Sequence, residues 1–389
     1  MLFPYLVYRN NLLISTDKFF RRITLLYVLF FIAQIISEIA NGNQMVNALK
    51  GFSITIVSYV TLYFFYSIIQ KDSKYILLLL VFETCKLLLF INASNISQTV
   101  FEVDFSSSTY YKFKVVPILS NLFLLLSYFL LKHTNKVITA CAIAFLIFLN
   151  LVFGARSANI PLFFSILMLL ASKWLLNNRK SVIFSLTFII IISYGVYCLW
   201  VNSTINKGIT KVSSNNEQFL RMKNPYNPLE LLVQGRTEFF VGLVAFSDRW
   251  LWGFGAWPID KDYKYYYMIL LMKFNDVRDD FDTYLEEQGV PSHSVVVGAG
   301  VNYGIFGFIA MTIILIFFIK IGKTSFQGLR TTPYFVIFVF FYFQMIWTML
   351  FSPPGHLRET LPLIFSLLLT FNKMASLREH SVNQNLDLV

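Results

Sequence analysis

Apolar residues gather in ten long runs along this chain, separated by short polar connections. The runs cover residues 23–40, 51–70, 75–92, 115–131, 137–153, 158–175, 182–201, 294–319, 333–351 and 360–372, the last lengthening if it starts near Gly355. About 20 mostly apolar residues suffice for a helix to cross the hydrocarbon core of a bilayer. Backbone in lipid must satisfy its polar groups internally, so each run is predicted to be a helix. No barrel-type strand alternation occurs. The pattern predicts an all-α, polytopic integral membrane protein with about ten transmembrane helices. Residues 1–201 hold seven of them, 202–293 form a long connection, and 294–389 hold three more and a short tail.

Composition agrees. Of 389 residues, 56% are hydrophobic and 14% charged, with 42 Phe. Soluble domains carry roughly 25% charged residues, so a soluble globular enzyme is excluded. Cys85, Cys141 and Cys198 lie in apolar runs, which argues against a disulfide framework or a cysteine zinc site. Residues 2–8 are too short for the apolar region of a cleaved signal, so the first long run is expected to act as an anchor.

The net charge of +11 changes meaning once it is placed on the connections. With the N-terminus inside, the inner segments hold 16 basic residues against four acidic ones, Asp17, Asp72, Glu379 and Asp387. Basic residues favour cytoplasmic loops, so both termini are predicted to be cytoplasmic and no nucleic-acid partner is implied. The 202–293 connection then faces outward, carrying 12 of the 21 acidic residues. Long connections are usually functional. Within it, Arg236–Arg249 is predicted to be an amphipathic helix on or dipping into the membrane, followed by interfacial Trp250, Trp252 and Trp257.

The outward face collects several cations. Arg156 sits in a tight turn, Gly154-Ala155-Arg156-Ser157, at the start of the sixth run. Arg236, Arg249, Arg358, His293 and His356 join it. Guanidinium groups bind phosphate oxygens bidentately, and a helix N-terminus favours an anion. Snorkelling to lipid headgroups is the competing reading. His293, in Pro291-Ser292-His293-Ser294, has the chemistry of a general base; a hydrogen bond at a helix entrance explains it equally. Gly253-Phe254-Gly255 reads as a turn, and Gly300 with Gly304 as a GxxxG helix-packing pair. Glu83 and Lys86 read as a structural i,i+3 ion pair. Tyr263, Tyr265, Tyr266 and Tyr267 suit sugar stacking or the interface, and the acidic run Asp279–Glu287 reads as a solvated face.

Three features in this order resemble one family: the Gly-x-Arg-Ser turn (Gly154–Ser157), an outer loop opening Gly235-Arg236 and continuing through Trp250–Gly255, and Pro-Ser-His-Ser (291–294) before a Gly-rich helix (Gly300–Gly307). Together they resemble the O-antigen polymerase and O-antigen ligase superfamily of membrane glycosyltransferases. The resemblance implies a GT-C-like helical body in a bacterial inner membrane, with a large periplasmic loop containing short helices and a periplasmic active face. It implies metal-independent, inverting transfer of a glycan from undecaprenyl pyrophosphate, with no cofactor. The polymerase is favoured, extending lipid-linked repeat units; a ligase, delivering the polymer to lipid A core, is the first alternative and a lipid-linked oligosaccharide flippase the second. Partners would be the lipid-linked oligosaccharide, membrane lipids and a chain-length-regulating membrane protein. The implied catalytic residues are His293, Arg236 and Glu238. Arg156, Arg236, Arg249, His356, Arg358, Trp252 and Tyr303 are the implied pyrophosphate and glycan contacts.

Overall fold

The computed structural model describes residues 17–89, 115–133, 136–152, 158–171, 187, 194, 195, 197–199, 201, 202, 222–274 and 289–386. Among them no strand forms; one isolated bridge links Ile259 and Gly289. The helices are α1 (Lys18–Asn41), α2 (Met45–Ile69), α3 (Lys74–Leu89), α4 (Val116–Lys132), α5 (Lys136–Val152) and α6 (Asn159–Ala171). The outer connection contributes α7 (Pro228–Gly235), α8 (Thr237–Asp248) and α9 (Lys264–Phe274). The C-terminal part contributes α10 (Val295–Leu329), α11 (Phe335–Phe351), α12 (His356–Glu359) and α13 (Leu361–Leu386).

Three helices, α1, α2 and α10, are long and apolar enough to cross a membrane, and α4, α5, α6 and α11 are shorter apolar helices. The run 182–201 falls mostly outside the described residues. α1, α2, α10 and α13 extend past their apolar runs. Asp17 caps α1, its carboxylate accepting the Phe19 and Phe20 amides at 2.8 and 3.1 Å. Gly42, at φ 58°, closes α1 in the left-handed region. The α1–α2 connection thus shrinks to Gly42–Gln44.

Phenylalanine fills the core. α10 packs on α1, α11 and α13; α13 packs on α2, and α11 on α6. Phe318 stacks on Phe365 between α10 and α13 at 4.2 Å, and Phe164 on Phe343 between α6 and α11 at 4.1 Å. The opposite faces stay apolar and exposed at helical spacing, as with Leu25, Leu29, Ile32 and Ile36 on α1 and Ile309, Ile313 and Ile316 on α10. Stripes of this size need an apolar surrounding.

The connections sort to two ends. At one, Lys373 Nζ donates to Gln70 Oε1 (3.0 Å), the Tyr334 hydroxyl donates to the Ser73 carbonyl (3.1 Å), and the Tyr66 hydroxyl donates to the Asp17 carboxylate. At the other, the Ser37 hydroxyl donates to the carbonyls of Trp252 (2.6 Å) and Asn302 (3.0 Å).

α10 is broken. Tyr303 (φ −122°, ψ 16°) and Gly304 (φ 65°, ψ −158°) leave helical geometry. The GxxxG expectation is therefore corrected. Gly304 is a left-handed break, and Gly300 lies under the Phe246 ring, 3.0 Å from where a Cβ would sit. α8 packs one face on protein: Val241 and Ala245 are fully buried in a second small core with Tyr265, Ile269, Val290, Val297 and Val301. Its apolar stripe is satisfied by protein.

Candidate functional site

Three sequence segments meet at the end of the bundle where the 202–293 connection packs, its outer end. The first is the α7–α8 junction. Arg236 ends α7 and begins α8 with φ −135°, ψ 34°. Its guanidinium lies 4.8 Å above the Trp347 ring and 5.8 Å from Phe351, and Nη1 donates to the Phe351 carbonyl at 3.1 Å. That carbonyl is one of the orphan acceptors ending α11, where the helix dipole favours a cation. Burial draws the Arg236 pKa down, and Glu238 beside it pushes the other way.

The second segment is Pro291–Ser294. The Ser294 side chain caps α10, accepting from the Val297 amide at 3.1 Å, and lies 3.2 Å from the Met349 carbonyl of α11. Pro291 rests on α8, its carbonyl 3.2 Å from where a Cβ on Gly242 would sit. The third is Pro353–Arg358. Pro354 and Ser292 both close over Gly298, whose missing side chain leaves room for the two loops.

This packing brings His293 and His356 into electrostatic contact. His356 is half-buried, with Nδ1 2.7 Å from Thr360 Oγ1. Burial draws its pKa below 6.5, Glu359 raises it, and His293 lowers it further. Arg358 is exposed on the rim, 3.3 Å from Glu359.

A cavity of about 550 Å³ descends from this cluster between α3, α4, α6, α11 and α13. Trp347, Ser352, His356, Glu359 and Thr360 line its outer end, and Leu79, Leu80, Phe340 and Leu367 its deep end. Glu83, Lys86, Asn121 and Gln344 also line it. Polar side chains therefore line its outer end and one wall, and apolar side chains its deep end.

Arg236, Glu238, His293, His356 and Arg358 therefore lie at one end of the bundle. Three candidates do not. Arg249 sits at the far end of α8, about 20 Å from Arg236 at 1.5 Å rise per residue. It lies 4.8 Å over Phe254 and lines a separate polar cavity of about 690 Å³ with Asn41, Asn47, Trp257, Asp260 and Lys264. Trp252 is exposed, its ring 6.0 Å from Phe306. Tyr303 is buried at the α10 break, edge-on to Phe30, and lines neither cavity. A rigid α8 separates what sequence order left adjacent. Tyr265, a stacking candidate, is buried with its hydroxyl on Asp248 at 2.7 Å. Arg156 and the Asp279–Glu287 run lie outside the described residues.

Sequence reasoning missed Trp347 and Gln344. Their signal was present, since Gln344, Trp347, Thr348 and Phe351 recur at i, i+3, i+4 and i+7 on one stripe of α11. Among the described residues no three His, Cys, Asp or Glu side chains come together as metal ligands. No known family, curated protein or solved structure matches this chain.

Proposed function

We propose that the chain is a polytopic membrane glycosyltransferase of the O-antigen polymerase kind, with about ten spans, a GT-C-like body and its active face on the periplasmic side of a bacterial inner membrane. The observation that carries this reading is a cavity lined by Trp347 and His356 at one end and by leucine and phenylalanine at the other, with Arg236 over the Trp347 ring and His293 acting electrostatically on His356. A lipid-linked glycan has the matching shape, with an isoprenoid tail for the apolar end and a phosphorylated sugar head for the mouth. In this reading an acceptor hydroxyl attacks the anomeric carbon, and the bond from that carbon to the pyrophosphate oxygen breaks. His293 takes the hydroxyl proton, with Glu238 the second candidate. The departing pyrophosphate carries the bonding electrons, and Arg236 and Arg358 stabilise its charge. The transfer needs no metal in this scheme.

One observation favours a transporter instead. Glu83 and Lys86 line the cavity at membrane depth, where charges often mark a translocation path. A lipopolysaccharide gel of a deletion strain separates the readings. The polymerase reading expects core carrying a single repeat unit, restored to a ladder by the wild-type gene and not by Arg236→Ala or His293→Ala. Loss of even the single unit indicates a flippase, and unattached polymer on the carrier indicates a ligase. An unchanged ladder in the deletion strain sinks all three.

A further inference from the structure

The charges of α3 are the strongest observation that the mechanism above leaves unused. Lys86 Nζ donates to Glu83 Oε2 at 2.8 Å. The Glu83 side chain is 19% exposed and the Lys86 side chain 46%. In a helix flanked by apolar sequence, an i,i+3 ion pair facing lipid is expensive and contributes little. This pair faces the cavity, on a wall built with Asn121 of α4 and Gln344 of α11. His356, Glu359 and Thr360 form the cavity's other polar patch. Gln344 lines the same wall as the pair, and its Oε1 is buried without a hydrogen-bond partner among the described residues.

We infer that the Glu83–Lys86 pair is a ligand-binding element of this cavity, in which Lys86 holds the phosphoryl group of a phosphorylated amphiphile and Glu83 positions the Lys86 ammonium. The inference deepens the glycosyltransferase reading and rests on it for the identity of the ligand. The chemistry is general. An ammonium has three donors, and Glu83 uses one, leaving two for phosphate oxygens. A carboxylate at 2.8 Å fixes a long, flexible side chain in one place, which lowers the entropy lost on binding. Leu79, Leu80 and Leu87 beside the pair offer apolar surface to the rest of the ligand.

The test uses the full-length protein in detergent, with farnesyl phosphate, farnesol and inorganic phosphate as probes. Thermal unfolding of each variant without probe reports folding; the rise in melting temperature with probe reports binding. Farnesyl phosphate is expected to stabilise the wild type and Lys86→Arg, and farnesol is not. Lys86→Met and the swap E83K/K86E are expected to need at least about tenfold more farnesyl phosphate, the scale of a lost charge-assisted hydrogen bond. The swap is decisive, because it keeps an i,i+3 ion pair and moves the cation. If the swap unfolds at the wild-type temperature and still responds to farnesyl phosphate as the wild type does, the pair is structural only and the inference fails. It fails equally if farnesol stabilises as well as farnesyl phosphate. If inorganic phosphate alone stabilises the wild type and Lys86→Met abolishes that, the site stands and its ligand is the free anion. A ladder lost on deletion and fully restored by the swap overturns this inference and leaves the polymerase reading. An unchanged ladder with Lys86-dependent stabilisation does the reverse.

Discussion

The amide of Phe254 donates to the carbonyl of Val301 across 2.8 Å, and the next amide, of Gly255, donates to Asn302 across 2.7 Å. The break at Tyr303–Gly304 leaves these carbonyls without helical partners, and the outer loop supplies them. Unpaired backbone at membrane depth is tolerated only when protein satisfies it. The contact is close enough to demand glycine twice. A Cβ on Gly253 (φ 72°) would lie 2.5 Å from the Asn302 carbonyl oxygen, and one on Gly304 (φ 65°) 2.1 Å from that of Leu251. Gly253→Ala and Gly304→Ala are each expected to cost more than about 2 kcal/mol, from left-handed strain plus backbone collision. Ser37→Ala, which removes one side-chain donor, should cost about 1 kcal/mol. Thermal unfolding in detergent should rank Ser37→Ala clearly above the two glycine variants.

The separation of Arg236 from Arg249 gives a contrast. Both are arginines of the 202–293 connection, but only Arg236 lies on a residue, Trp347, that lines the cavity of about 550 Å³. In complementation of a deletion strain, Arg236→Ala should lower activity at least about tenfold, the scale of one lost charge-assisted contact. Arg236→Lys should recover little, because lysine lacks the planar fork that stacks on Trp347 while bonding the Phe351 carbonyl. Arg249→Ala should stay near wild type. Equal losses from Arg236→Ala and Arg249→Ala would show that the arginines act together after all.

Hydrophobic periodicity made the helical class legible, because a 3.6-residue stripe and a run of 20 apolar residues leave few alternatives. The gathering of Arg236, His293 and His356 followed from placing their connections on one face. What periodicity does not carry is distance along a helix between adjacent connections. Arg236 and Arg249 look like neighbours in sequence, yet α8 holds them apart. Nor does it reveal a break hidden in an apolar run. Gly300 and Gly304 fit a packing pair until the backbone at 304 turns left-handed. The i,i+3 spacing predicts the Glu83–Lys86 pair, but which surroundings the pair meets depends on partners remote in sequence, α4, α6 and α11.

His356 sets a pH dependence. Burial holds its imidazole below the usual 6.5, Glu359 raises it, and His293 lowers it. A group with a depressed folded pKa binds fewer protons folded than unfolded. Its stabilising contribution is therefore complete above about 6.5 and is lost as pH falls from there through the folded pKa, levelling off below it. The melting temperature in detergent should fall between pH 7.5 and 5. His356→Gln, which retains a side-chain partner for Thr360, should flatten that fall. A slope identical in His356→Gln and wild type would assign it to other groups.

Gln344 offers a test in which stability and activity move in opposite directions. Its Oε1 is buried and unpaired among the described residues, on the wall of the cavity. Leaving a buried acceptor unsatisfied costs about 1–3 kcal/mol, so an apolar side chain of similar volume should relieve that cost. Gln344→Met is therefore expected to unfold at the same or a higher temperature than the wild type. Its neighbours on the α11 stripe, Trp347 and Thr348, line the same cavity. If the unpaired oxygen is kept for a ligand hydroxyl, the same variant should shorten the polysaccharide ladder in complementation. A more stable protein with a full ladder would remove Gln344 from the site, and a destabilised one would mean that the oxygen has a partner in the folded protein.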